Sequence, residues 1–120
     1  MKQIIILMSL LSMLFATKTA QNNSIMLLTS TEFKSHIETK KVQLVDVRTP
    51  KEHKSGHISG SKNIDFFSTT FTMEFNKLNK EKPVYIYCRS GRRSHQASKK
   101  LSAMGFTEIY DLKGGILKWK

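Results

Sequence analysis

The stretch Pro83-Val84-Tyr85-Ile86-Tyr87-Cys88-Arg89-Ser90-Gly91-Arg92-Arg93-Ser94-His95-Gln96-Ala97-Ser98-Lys99-Lys100-Leu101 decides the fold. Val84 to Tyr87 is short, β-branched and aromatic, which predicts a strand, and the residues from Ser94 to Met104 predict a helix. Cys88, the only cysteine of the chain, falls at the turn between them. The first N–H groups of a helix lack internal partners and carry partial positive charge, so such a turn attracts anions. A thiolate is one such anion. With Arg89, Arg92 and Arg93 beside it, Cys88 is expected to ionise and act as a nucleophile. Three arginines within five positions also repel one another, so the loop is expected to hold a second, polyatomic anion from a substrate. A lone cysteine otherwise serves as a small buried apolar group, a use that needs neither a glycine turn nor an arginine cluster.

Outward from this loop, strands alternate with helices. Strands are predicted at 25–28, 42–47, 62–65 and 107–111, and helices at 31–38, 67–78 and the C-terminus. Thr29-x-x-Glu32 has the capping-box pattern, and Phe67, Phe71, Phe75 and Leu78 recur at helical spacing as core residues. Gly105 is placed to end a helix in the left-handed region. Such alternation predicts an α/β domain with a mostly parallel central sheet and helices on both faces, whose ligands bind beyond the carboxyl ends of the strands. Cys88 lies at such an end.

The chain of 120 residues has room for one core. Met1-Lys2 and the apolar run from Ile4 to Ala16 have the charged start and short hydrophobic region of a secretory signal peptide, too short for an ordinary transmembrane helix. The alternative is an N-terminal core helix. The expected organisation is a signal peptide at 1–20, cleaved near Ala20, a polar linker at 21–24 and the domain at 25–120, hence a periplasmic or secreted protein without stable membrane insertion. Loss of Lys2 and Lys18 with the leader leaves 18 basic against 9 acidic side chains, a net charge of +9. These charges are scattered, with no basic helix, aromatic platform or nucleic-acid motif, so they are read as solvation and steering of anionic substrates. One cysteine allows no internal disulfide.

Other polar residues are weighed in place. Asp46 and Arg48 close a neighbouring strand and either border the crevice or form an ion pair bracing the loop. His53 and His57 stand four apart, but Gly56 interrupts the helix and no third ligand is evident, so no metal is expected. Glu52 and His53 are read as hydrogen-bonding a turn, His36 as a solvated helix position, and His95 as exposed surface near the loop.

The chain resembles the rhodanese family of sulfurtransferases. The resemblance rests on the Cys88 to Ser94 loop, on Leu44-Val45-Asp46-Val47-Arg48, on Glu52 to Ile64, on Gly105-Phe106 and on Leu112 to Trp119. It spans 25–119, with Ser59 and Ser61 where the family usually carries Pro and Ala, and with a final helix that usually runs further. It implies a three-layer rhodanese-like fold and a persulfide chemistry. Thiolate Cys88 would take the outer sulfur of a small anionic donor such as thiosulfate, and Arg89, Ser90, Gly91, Arg92, Arg93 and Ser94 would bind the substrate. A thiol or cyanide would then accept the sulfur. The resemblance implies no metal or organic cofactor. Two alternatives stay open: a persulfide carrier or interaction module serving a protein partner, and a cysteine phosphatase or arsenate reductase. The latter place arginine six residues after the cysteine, where this chain has Ser94.

Overall fold

Strand β4 (Val84–Tyr87) sorts the core into two layers. Val84, Ile86 and Cys88 pack with Val45, Ala97, Leu101 and Ile109 on one face, while Tyr85 and Tyr87 pack with Phe33, Leu44 and Leu112 on the other. This is strand alternation at work in a strand buried on both sides. The computed structural model describes residues 24–119. The signal peptide read at 1–20, linker positions 21–23 and Lys120 lie outside the described residues.

The remaining strands are β1 (Ile25–Leu28), β2 (Gln43–Asp46), β3 (Lys62–Asn63) and β5 (Ile109–Leu112). The sheet has the order β1-β5-β4-β2-β3, and all of its pairings are parallel. Parallel neighbours need crossovers, and these are supplied by α1 (Ser30–Thr39), α2 (Pro50–Ser55), α3 (Phe71–Phe75) and α4 (Arg92–Ala103), followed by a 3₁₀ turn (Ile116–Lys118). Helices α3 and α4 contribute Phe71, Phe75, Ala97 and Leu101 to one core layer, and α1 contributes Phe33 to the other. The result is the three-layer α/β fold with helices on both faces. Among the described residues no helix is long and apolar enough to cross a membrane.

The ends of the elements follow local chemistry. Thr29 Oγ1 accepts the Glu32 N–H at 3.3 Å, and Glu32 Oε1 accepts the Thr29 N–H at 2.9 Å, closing the capping box of α1. Such a cap contributes about 1 kcal/mol. Helix α4 ends at Gly105, φ 103°, with the Phe106 N–H turned back to Leu101 O at 3.1 Å.

Several expectations need correction. The helix predicted over 67–78 is only the short α3, because the chain before it is held in turns. Asp65 Oδ1 accepts the Phe67 N–H and Asp65 O accepts the Ser68 N–H, so side-chain and turn bonds compete with the helical ladder. Phe67 consequently stands 68 % exposed and leaves the core to Phe71 and Phe75. Helix α4 starts two residues earlier than predicted, at Arg92, which shortens the loop after Cys88. Strand β3 stops at Asn63, and β5 runs from Ile109 to Leu112. Helix α2 was read only as a turn. His36 is no solvated position: its Nδ1 lies 2.8 Å from the Tyr85 hydroxyl, which would otherwise be buried without a partner.

Candidate active site

Cys88 follows β4 directly and is 1 % exposed. Its Sγ accepts the Gly91 N–H at 3.0 Å and lies 3.4 Å from the buried Ser94 hydroxyl. The chain can fold back this tightly because Gly91, the residue before α4, takes φ 110°, a left-handed conformation that suits glycine. The sulfur therefore faces the amino end of a twelve-residue helix, where unpaired N–H groups favour negative charge.

The outer side of the loop is clamped from the C-terminus. Cys88 O accepts the Ile116 N–H at 2.9 Å, and Arg89 O accepts the Leu117 N–H at 3.1 Å. These two carbonyls are thus engaged by the 3₁₀ turn, while the Gly91 N–H turns to the sulfur. Gly115 makes the approach possible: a Cβ there would lie 2.3 Å from Arg89 O and 2.7 Å from Cys88 O. The sequence reading used Gly114-Gly115 only as part of a resemblance and missed this role.

The three loop arginines are not equivalent. Arg89 and Arg92 are exposed. Arg93 turns away from solvent and makes a two-pronged pair with Glu52, at 2.7 Å (Nη1 to Oε1) and 2.9 Å (Nη2 to Oε2). Glu52 Oε1 also accepts the N–H of Thr49 at 3.3 Å, so one carboxylate caps α2 and fixes an arginine of α4. The Arg93 guanidinium beside it brings the Glu52 carboxyl down to about 2. The pair therefore stays ionised at any pH where the domain is expected to work. The signal for α2 was present in Thr49-Pro50-Lys51-Glu52, a second capping box with proline in the first turn.

Asp46 and Arg48 form a buried ion pair at 2.7 Å. Asp46 also receives the Arg48 backbone N–H at 2.9 Å, and its Oδ2 lies 2.9 Å from His53 Nδ1. Arg48 in turn donates to Gly56 O at 2.6 Å. Burial opposes the Asp46 charge, but the hydrogen bonds from Arg48 and His53 outweigh it and hold the carboxyl below its usual range. These residues brace the segment after α2 rather than meeting the thiol. His57 stacks on His53 with ring centroids 3.7 Å apart, and among the described residues no cluster of His, Cys, Asp or Glu is arranged to hold a metal. His95 is exposed in the first turn of α4. Two surface grooves, one along α1 by Lys34 and Glu38 and one by Lys40, Lys41 and Lys82, include no residue of the Cys88 loop.

One buried carboxyl escaped the sequence reading altogether. Asp111 lies in β5, 1 % exposed, with Oδ1 meeting no hydrogen-bond donor. Burial pushes it up to about 6, against a hydrogen bond from Ser94 and the charge of His95. Its neighbours in sequence, Tyr110 and Leu112, look like an ordinary strand, and only the sheet order places it beside β4.

A parallel α/β sheet with a buried cysteine between a strand end and a helix start defines the class of fold and site. The chain belongs to the rhodanese-like domain family, whose pattern it matches over residues 29–120. It is 38 % identical over 116 residues to the uncharacterized protein YqhL of Bacillus subtilis, covering 97 % of this chain and 89 % of that one. It is 35 % identical over 78 residues to the thiosulfate sulfurtransferase GlpE of Pseudomonas paraeruginosa, covering 65 % and 69 %. Its fold superposes on a rhodanese-like domain protein from Staphylococcus aureus with a TM-score of 0.70 and 35 % identity, over 78 % of this chain and 90 % of that one.

The buried Asp111 makes a prediction about stability. Its native carboxyl binds a proton more tightly than an unfolded aspartate, near 3.9, so folding loses stability as pH rises from about 4 to about 6. Asp111→Asn should therefore stabilise the domain above about pH 6, by up to about 3 kcal/mol, and leave it unchanged below about pH 4. Urea unfolding of both proteins across that range reads the difference, and an equal effect at every pH would contradict it.

Proposed function

We propose that the domain is a sulfurtransferase that carries sulfane sulfur as a persulfide on Cys88. The observation that supports this most directly is the Sγ of Cys88 seated against the Gly91 N–H at the start of α4, in a loop whose Cys88 and Arg89 carbonyls are engaged by the 3₁₀ turn. The thiolate attacks the outer sulfur of a donor such as thiosulfate. A sulfur–sulfur bond to Cys88 forms, the bond to the sulfonate sulfur breaks, and sulfite leaves with the electron pair. The terminal persulfide anion then sits among the loop N–H groups from Arg89 to Ser94. A thiol or cyanide attacks that outer sulfur and releases Cys88 as thiolate. Arg89 and Arg92, exposed at the mouth, draw the anionic donor in, whereas Arg93, paired with Glu52, supplies a fixed charge near the sulfur. The similarity to a thiosulfate sulfurtransferase supports thiosulfate as the first donor to test.

A phosphatase reading fits less well. Its arginine falls six residues after the cysteine, a position held here by Ser94, whose hydroxyl faces the sulfur. The five-residue spacing to Arg93 makes a narrower cradle, suited to one sulfur atom more than to a tetrahedral phosphate. A protein acceptor for the persulfide is part of the same proposal, since the exposed mouth arginines serve a partner's anionic surface as readily as a small donor.

Cys88→Ser should abolish thiosulfate:cyanide activity while the folded far-UV and near-UV spectra stay unchanged. The mass of the unsubstituted protein should rise by one sulfur atom on thiosulfate treatment, reversibly with cyanide. Cys88-dependent release of phosphate from an aryl phosphate, without any such mass change, would overturn the proposal in favour of its rival.

We also infer export, from the apolar run between Ile4 and Ala16 behind Lys2. N-terminal sequencing of the protein from its native host should find a start close to Gln21. An intact Met1 on cytoplasmic protein would refute it.

A further inference from the structure

The cations of the chain are scattered in sequence, but the fold sorts them. All four arginines, Arg48, Arg89, Arg92 and Arg93, follow the carboxyl ends of β2 and β4. The opposite end of the sheet carries lysines instead. Lys40, Lys41 and Lys82, all exposed, line an open groove at the amino ends of the same two strands. Lys82 lies far beyond Lys41 in the chain, and the parallel pairing of β2 with β4 brings them together. The floor of the groove is fixed by one side chain. Gln43 Nε2 donates to Asn79 O at 3.0 Å and to Pro83 O at 3.2 Å, and its Oε1 accepts the Asn79 N–H at 2.7 Å. With that amide committed, the lysine ammonium groups are the charged chemistry left in the groove, and no carboxylate is among its lining residues. Of the carboxylates nearest in sequence, Glu38 pairs with Lys34 and Glu81 is exposed between Lys80 and Lys82.

The chain also enters the domain at this end. Strand β1 pairs with β5 and β5 with β4, each in parallel, so Ile25 at the start of β1 lies at the end of the sheet that holds the lysine groove. The apolar run Ile4 to Ala16 is separated from Ile25 only by positions 17–24. Even fully extended, such a spacer reaches about 29 Å at most. A chain whose apolar run is in a bilayer therefore holds the groove, and not Cys88, towards the lipid headgroups. The four residues of β4 alone put about 13 Å between the two ends.

We propose that the groove of Lys40, Lys41 and Lys82 docks the domain on an anionic phospholipid bilayer, amino ends of the strands down, with the Cys88 loop turned to solvent. The contact is peripheral, without insertion. The leader sets this orientation during export, and after cleavage the lysines keep it reversibly. Lysine suits this occupant: its ammonium is a compact, hydrated charge on a flexible stem, able to follow a fluid layer of lipid phosphates. The carboxylates of an acidic protein are better met by the planar fork of arginine, which this chain keeps at the other end. Single-stranded nucleic acid calls for aromatic stacking surfaces, and no aromatic residue lines the groove. The proposal does not depend on sulfur transfer. It takes from export only which bilayer is met, and export is read separately by the N-terminal sequencing above.

The test is sedimentation of the protein, as recovered from its native host, with two kinds of vesicle: phosphatidylcholine alone, and phosphatidylcholine with about one-third phosphatidylglycerol. The protein should bind the anionic vesicles, leave the neutral ones alone, and come off in about 1 M salt, where charges are screened within about 3 Å. The triple variant Lys40→Gln, Lys41→Gln, Lys82→Gln should bind at least about tenfold more weakly. The same loss of charge at the other end, through exposed Lys51→Gln, Lys54→Gln and Lys113→Gln, should change affinity less than about threefold. Trp119, the one tryptophan of the chain, follows the 3₁₀ turn at the Cys88 end, so brominated lipid in the same vesicles should leave its fluorescence unquenched. Failure to bind anionic vesicles, equal binding to neutral ones, binding unchanged in the groove variant, or quenching of Trp119 would overturn the proposal. Tighter binding of polyglutamate or single-stranded DNA than of the vesicles, lost in the groove variant, would overturn it in favour of a protein or nucleic-acid partner. If the groove variant failed to fold, the lipid, salt and quenching series of the unsubstituted protein would decide alone.

Discussion

The hydrogen bonds from Ile116 and Leu117 to the carbonyls of Cys88 and Arg89 are the constraint on which the site depends. The four-residue turn from Cys88 to Gly91 has to put its carbonyls somewhere. While the Gly91 N–H turns to the sulfur, the C-terminal 3₁₀ turn engages two of these carbonyls. That contact exists only because Gly115 has no side chain, since any Cβ would collide with the backbone it holds. The backbone of the Cys88 loop is thus held by residues about 27 positions away in the chain, joined to it through the parallel pairing of β4 with β5.

Charge is arranged with the same economy. The two-pronged pair between Glu52 and Arg93 links α2 to α4 and fixes one guanidinium near the sulfur, while Arg89 and Arg92 stay free to meet solvent. The buried Asp46–Arg48 pair holds His53 of that same α2 and the carbonyl of Gly56 just after it. Removing one partner of such a buried pair costs about 3–5 kcal/mol, because the other charge is left alone. Tyr87 finishes the bracing from the far face, its hydroxyl taking the Ile58 N–H at 3.0 Å and lying 2.8 Å from Ser61 Oγ. Ser61 thereby has a partner that an alanine would lack.

Much of this was legible in the sequence where local rules dominate. Strand β4, the capping box at Thr29, the left-handed Gly105 and the Cys88 turn follow from patterns a few residues long. The failures came where local and distant effects compete. The spacing of Phe67, Phe71, Phe75 and Leu78 suits a long helix, yet Asp65 ends the preceding strand in turns that expel Phe67 from the core. Thr49-Pro50-Lys51-Glu52 signalled α2 locally, but its carboxylate also serves an arginine 41 residues on, which no short pattern announces. His36 looked solvated because its partner, Tyr85, belongs to another element. Asp111 was invisible for the same reason, since its burial opposite Ile86 of β4 is a property of strand order and not of its neighbours in sequence.

The most direct test of the account is a high-resolution crystal structure of the protein after treatment with thiosulfate. The account predicts a second sulfur bonded to Cys88 Sγ, ringed by the N–H groups of the loop, with the Cys88 and Arg89 carbonyls still turned to Ile116 and Leu117. A Cys88 without added sulfur, in a loop whose carbonyls point inward, would contradict it.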